Sequence, residues 1–161
     1  MGAVLFAVFI ILFITYRTHN QTSSSVDYQD ALRAAKNESS WAILAPSVIP
    51  NGYKVTQARF EPESYGQAGT ARWYLGFQTS NDEYLSLWQS DGPTDAIVNA
   101  ASNGGVCAET VKIQNVEWTS CFQKKPLARV LYRVDDEQTI VISGTASAQE
   151  LREFASLLRK Q

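Results

Sequence analysis

Between Lys54 and Gly144 the chain carries seven short runs rich in aliphatic, aromatic and β-branched residues, and most of the connections between them are short. Parallel neighbours need a crossover of a dozen or more residues, so this spacing restricts the domain to mainly antiparallel pairing. The runs fall at 54–60, 71–77, 83–89, 109–113, 117–123, 128–134 and 138–144. In the second, Trp73, Leu75 and Phe77 alternate with Arg72, Tyr74 and Gly76, the two-residue period of a strand with unlike faces. The third alternates Leu85 and Leu87 with Tyr84 and Ser86. TSND at 79–82 suits a hairpin turn, and Asp135 to Glu137 suit a tight acidic one. The expected sheet is a curved antiparallel meander.

Helical spacing occurs in three places. Tyr28, Ala31, Leu32 and Ala35 share one face of a helix starting near Asp27, with Asp30, Arg33 and Lys36 facing water. Asp91-Gly92-Pro93 punctuates the entry to a second helix, whose apolar side is Ala96, Ile97 and Ala100. The strongest local pattern is SAQELREFASLL, where Ser147 and Glu150 have capping-box spacing ahead of Leu151, Phe154, Ala155 and Leu158. Arg159 and Lys160 then stand where a helix C-terminus favours cations. The segment WAILAPSVIPNGY, broken by Pro46 and Pro50, reads as an extended connection. The fold class expected from these elements is α+β, with helices packed on the sheet and one of them closing the chain.

The first sixteen residues carry no charged side chain. As a helix they reach about 24 Å, against a hydrocarbon core of roughly 30 Å, which makes a marginal span. The organisation expected is a transmembrane segment at 1–16, a polar tether at 17–25 and one extracytoplasmic domain at 26–161. A cleaved signal peptide competes with this reading but lacks basic residues ahead of the apolar run and a good small-x-small site after it. An interfacial or buried helix is the third possibility. Arg17, alone after the segment, does not decide orientation.

Sixteen acidic and fourteen basic side chains, interspersed along the chain, provide no basic stripe. A nucleic-acid partner is therefore not expected. His19 is the only histidine and precedes the domain, and no nucleophile elbow, phosphate loop or zinc motif occurs. No enzyme activity, metal or other cofactor is expected. Glu61, Glu63 and Asp82 could serve a carboxylate hydrolase only if a cleft joined them. Trp73, Tyr74, Tyr84 and Trp88 are the candidate lining of a ligand or partner surface, since aromatic rings with scattered polar groups make such sites. Ordinary core packing is the competing reading. Cys107 and Cys121 can close a disulfide in an oxidising compartment, or remain two buried thiols.

The ordered set VDYQDALRAA, LAPSVIPNGYKVTQARFEP, ARWYLGFQTSNDEYLSLWQS, VEW and ISGTASAQELREFASLL resembles the DUF4245 family of actinobacterial, membrane-anchored proteins. The likeness covers nearly the whole chain after the apolar segment. It implies a single-pass cell-membrane protein with its globular part outside the cytoplasm, and it supplies no catalytic residues. The closing strand and helix are also similar to lipoprotein-carrier-like and anti-sigma-factor sensor domains, a likeness of fold that transfers no activity. The function expected is a non-catalytic envelope accessory or protein-interaction domain, held to the lipid bilayer by its first helix. A carrier of lipid or another hydrophobic small molecule is the alternative, and a carboxylate hydrolase the third.

Overall fold

The computed structural model describes residues 26–63, 70–136 and 138–161. The expected transmembrane segment, the tether, much of the loop before Thr70 and Glu137 lie outside the described residues. Among the described residues no helix is long and apolar enough to cross a membrane.

The α+β expectation holds. A seven-stranded antiparallel sheet is built from β2 (Lys54–Glu61), β3 (Arg72–Gln78), β4 (Tyr84–Ser90), β5 (Val106–Ile113), β6 (Val116–Gln123), β7 (Ala128–Asp135) and β8 (Gln138–Gly144). A separate pair joins β1 (Leu44–Pro46) to β9 (Leu158–Lys160). The helices are α1 (Gln29–Glu38), α2 (Thr94–Ser102) and α3 (Ala148–Leu157).

The sheet is not one meander. Its order is β2-β3-β4-β8-β7-β6-β5, so two meanders meet where β4 pairs with β8. After β4 the chain crosses through α2, which packs on β8 and β7, and begins the second meander at the far edge. Pairing outward from that edge then brings β8 back beside β4. Gly144 permits the junction. A Cβ there would sit 2.0 Å from the Tyr84 carbonyl oxygen, which also accepts the Thr145 and Ala146 N–H groups at 3.0 and 3.1 Å.

The two faces differ as the strand period requires. Trp73, Leu75, Phe77, Leu85, Leu87, Ile140 and Ile142 point to one side, where Leu32 and Ala35 of α1 and Leu151 and Phe154 of α3 cover them. Phe77 and Phe154 meet edge-on, with centroids 5.0 Å apart. Fully burying each large aliphatic or aromatic side chain contributes about 1.5–3 kcal/mol, and this layer holds most of them. The second face has a smaller cluster, in which Ile97 and Val98 of α2 meet Cys121, Val130 and Val141.

Turn chemistry explains the hairpins. Asp82 has φ 59° in the β3–β4 turn, where Asp82 N–H donates to Thr79 O at 3.1 Å. Gln114 and Asn115, with φ 49° and 64°, are the two central residues between Ile113 and its partner Val116. Left-handed geometry at both positions matches the right-handed twist of the flanking strands.

Two further expectations need correction. The proline-broken connection contains β1, and α3 does not continue through Arg159 and Lys160. The chain leaves that helix at Leu157, and Leu44, Ala45 and Pro46 pair with Lys160, Arg159 and Leu158. A three-residue strand is held by its partner more than by its own pattern.

Candidate functional site

The four aromatic residues singled out in the sequence divide between the two faces. Trp73 is fully buried in the main core, and its indole N–H donates to Leu44 O at 2.9 Å. It lines no surface, because it follows the opposite alternation from Tyr74. Arg59, Tyr74 and Trp88 instead lie in register across β2, β3 and β4 on the second face. Tyr74 meets Trp88 edge-on at 5.2 Å, and the Arg59 guanidinium stands 4.8 Å from the Tyr74 ring centroid.

The Tyr74 and Tyr84 hydroxyls are hydrogen-bonded to each other, with Tyr84 42% exposed and Tyr74 buried. Burial is the largest cause pushing the Tyr74 phenol above its ordinary pKa, and the hydrogen bond with Tyr84 pushes the same way. Tyr74 is therefore a neutral hydrogen-bonding group at physiological pH and not a base. Gly76 lies next to this pair, and a Cβ on it would approach the Tyr84 hydroxyl to 3.3 Å. The Trp88 indole N–H donates to Ser86 Oγ at 2.9 Å, which leaves its ring as the wall of a pocket of about 260 Å³. Arg72, Pro93, Ala96 and Ile97 complete that wall. The pocket is below the range of roughly 300–1,000 Å³ typical of small-molecule sites.

At the opposite end of the sheet, β5 pairs with β6 and has no strand on its other side among the described residues. Its residues 106–110 are all exposed. Val106, 74% exposed, lies opposite Phe122, 49% exposed, and Leu127 is also exposed nearby in sequence. Arg129 stands 5.8 Å from the Phe122 ring centroid. The next pair along is Cys107 and Cys121, joined by a disulfide with S–S 2.04 Å. Cys121 belongs to the buried cluster beneath α2, so the bond ties an exposed strand to the core.

The carboxylates do not assemble. Glu61 pairs with Arg59 at 3.0 Å and Arg72 at 4.0 Å, at the start of β3. Asp82 accepts from Gln78 Nε2 at 3.0 Å, at the end of the same strand. Seven residues of strand put these groups roughly 20 Å apart. Glu63 is exposed beyond β2. No group of three or more His, Cys, Asp or Glu able to hold a metal occurs among the described residues.

One concave feature escaped sequence reasoning. Ser40, Trp41, Asp91, Asp136, Gln138 and Lys160 line a cleft of about 640 Å³ at one end of the sheet. The residues come from the α1–β1 connection, the end of β4, the β7–β8 turn, the start of β8 and β9. Buried Gln89 organises it, accepting from Leu44 N–H at 2.8 Å and donating to Ala42 O at 2.7 Å and to Gln138 Oε1. Asp91 is fixed too, accepting from Ala71 N–H at 2.8 Å and from the Trp41 indole N–H at 3.4 Å. No contiguous motif marks this set. The only local hint was the Asp91-Gly92-Pro93 turn.

Fold and surfaces together define an α+β antiparallel-sheet domain with β2 and β5 as the edge strands of its main sheet and a polar cleft at one end. The DUF4245 family, described as a protein of unknown function, matches residues 1–158, and the chain belongs to that family. No curated relative matches it.

Proposed function

We propose that this chain is a non-catalytic, membrane-anchored interaction domain of the actinobacterial cell envelope, and that it docks an extended segment of another envelope protein along β5. The observation that carries the reading is the eight-residue β5 edge, unpaired on its outer side among the described residues. An exposed strand edge is a template for another strand, whose backbone supplies hydrogen bonds while alternate side chains supply specificity. Val106 and Phe122 offer the apolar contact beside it. The uncharged first sixteen residues support anchoring, and the Cys107–Cys121 disulfide is in keeping with an oxidising compartment outside the cytoplasm. Anchoring would raise the effective concentration of the edge near membrane partners.

A second reading, binding of a small hydrophobic molecule, is favoured by the pocket beside Trp88. There Arg72 Nε is buried without a hydrogen-bond partner among the described residues. The pocket's size argues for a small group rather than a whole lipid.

The two readings separate by photo-crosslinking in the native membrane. A photoreactive residue replacing Glu109 or Thr110 of β5 should give one discrete protein adduct, and the same residue at exposed Asn99 of α2 should give none. If the β5 positions give no protein adduct while native mass spectrometry finds a stoichiometric small molecule retained by the chain, the docking reading fails and the binding reading replaces it.

A further inference from the structure

We propose that the cleft bounded by Trp41, Asp91, Asp136, Gln138 and Lys160 binds an uncharged saccharide. Its polar groups are both donors and acceptors, and several have no partner among the described residues. The Asp136 and Lys160 side chains make no ion pair or hydrogen bond among the described residues, and Gln138, which accepts from Gln89 through its Oε1, keeps an amide N–H2 to offer a ligand. Two carboxylates and one ammonium suit no simple ion. An anion would meet Asp91 and Asp136, and a cation would meet Lys160. A neutral polyol satisfies all three, its hydroxyls donating to the carboxylates and accepting from the Lys160 ammonium and the Gln138 amide.

Trp41 supplies the apolar platform. Its indole N–H is committed to Asp91 and its ring is set edge-on against Phe60, with centroids 6.4 Å apart at 66°. The ring is thereby held in place, half-buried, to stack against the C–H face of a pyranose. Preorganisation by Gln89 and by the Ala71 N–H reduces the ordering cost of binding. The cleft volume of about 640 Å³ lies in the range of ligand sites. An acyl chain would gain little there, since Trp41 and Ala42 are its main apolar lining. This site is at the opposite end of β4 and β8 from the Tyr84–Gly144 junction, is separate from the β5 edge, and does not depend on the docking reading.

The test uses the full chain in a polyoxyethylene detergent, which brings no sugar or ammonium headgroup. Nitrogen-15 NMR would follow the Trp41 indole N–H, assigned through Trp41→Phe, and the Asp91 and Asp136 amides. The titrants are maltotriose, cellotriose and tri-N-acetylchitotriose, with choline and acetate as charged controls. At least one trisaccharide should shift these resonances in a saturable way at millimolar concentration. Asp136→Asn combined with Lys160→Met should weaken that binding by about tenfold or more, since two charge-assisted hydrogen bonds are lost. Asp136→Asn alone, at an exposed turn, keeps the comparison available should the double variant misfold. The proposal is overturned if no trisaccharide moves these resonances, if only choline or acetate does, or if binding is undiminished in the variants.

Discussion

Glu150 is the residue whose charge is tied most directly to local structure. Its backbone N–H donates to Ser147 Oγ at 3.2 Å, and its carboxylate accepts the Ser147 N–H at 2.8 Å, so the expected capping box at the start of α3 is formed. Asn81 Nδ2 donates to the same carboxylate at 3.1 Å, tying the β3–β4 turn to the helix. The backbone hydrogen bond from Ser147 is the largest cause holding the Glu150 carboxyl below its usual range. A depressed folded value means that the stabilisation is complete above the unfolded pKa of about 4.3 and is lost as pH falls through the lower folded value. Urea denaturation should therefore show Glu150→Gln less stable than the parent near about pH 6, with the gap closing toward about pH 3. Ser147→Ala should cost about 1 kcal/mol. A gap independent of pH would show that the carboxylate does not cap the helix. The same scale explains why the aromatic candidates divided: Trp73 and Tyr74 are consecutive in a strand, so one side chain enters the core while the other reaches the second face.

The β5–β6 hairpin is the element whose stability depends most on a cross-link. The disulfide closes a loop with a sequence separation of 14 and holds a mostly exposed strand against the sheet. In the chain-entropy picture a loop of that length contributes about 3 kcal/mol. Cys107→Ser combined with Cys121→Ser should lower the urea midpoint accordingly, and the amides of β5 should lose most hydrogen-exchange protection. Equal protection in β5 and β8 after the change would show that the strand needs no tether. Most strands were legible because the alternation of Trp73, Leu75 and Phe77, or of Leu85 and Leu87, is local. β5 begins at Val106, three residues before its expected start, because pairing with Phe122 and the disulfide extend it past the apolar pattern. β1 and β9 were hidden for a different reason. Each is three residues long, and the Ala45–Arg159 register joins segments far apart in sequence, which no local periodicity reports. The cleft shares that obstacle, since its residues are gathered from five places along the chain.

At the scale of the whole molecule the β4–β8 ladder decides whether the domain behaves as one unit or two. Leu85 to Ser90 pair with Gly144 to Thr139, and this is the only seam between the meander β2-β3-β4 and the meander β5-β6-β7-β8 within the described sheet. The main core runs across it, with Leu85 and Leu87 on one side, Ile140 and Ile142 on the other, and Phe154 of α3 in the same cluster. Shared burial of this kind couples the halves, so unfolding should be a single transition with coincident tryptophan fluorescence and far-ultraviolet circular dichroism. Gly144 is where the coupling can be tested. An added methyl would meet the Tyr84 carbonyl at 2.0 Å, and the obstacle is backbone, which cannot turn aside as a side-chain end can. Relief requires β4 and β8 to part at that end. Gly144→Ala should therefore lower stability by about 3 kcal/mol, the upper end of ordinary overpacking costs, while the two probes remain coincident. Two separated transitions in that variant would mean that the meanders are independent folding units, and that the seam is a contact between them rather than the centre of one core.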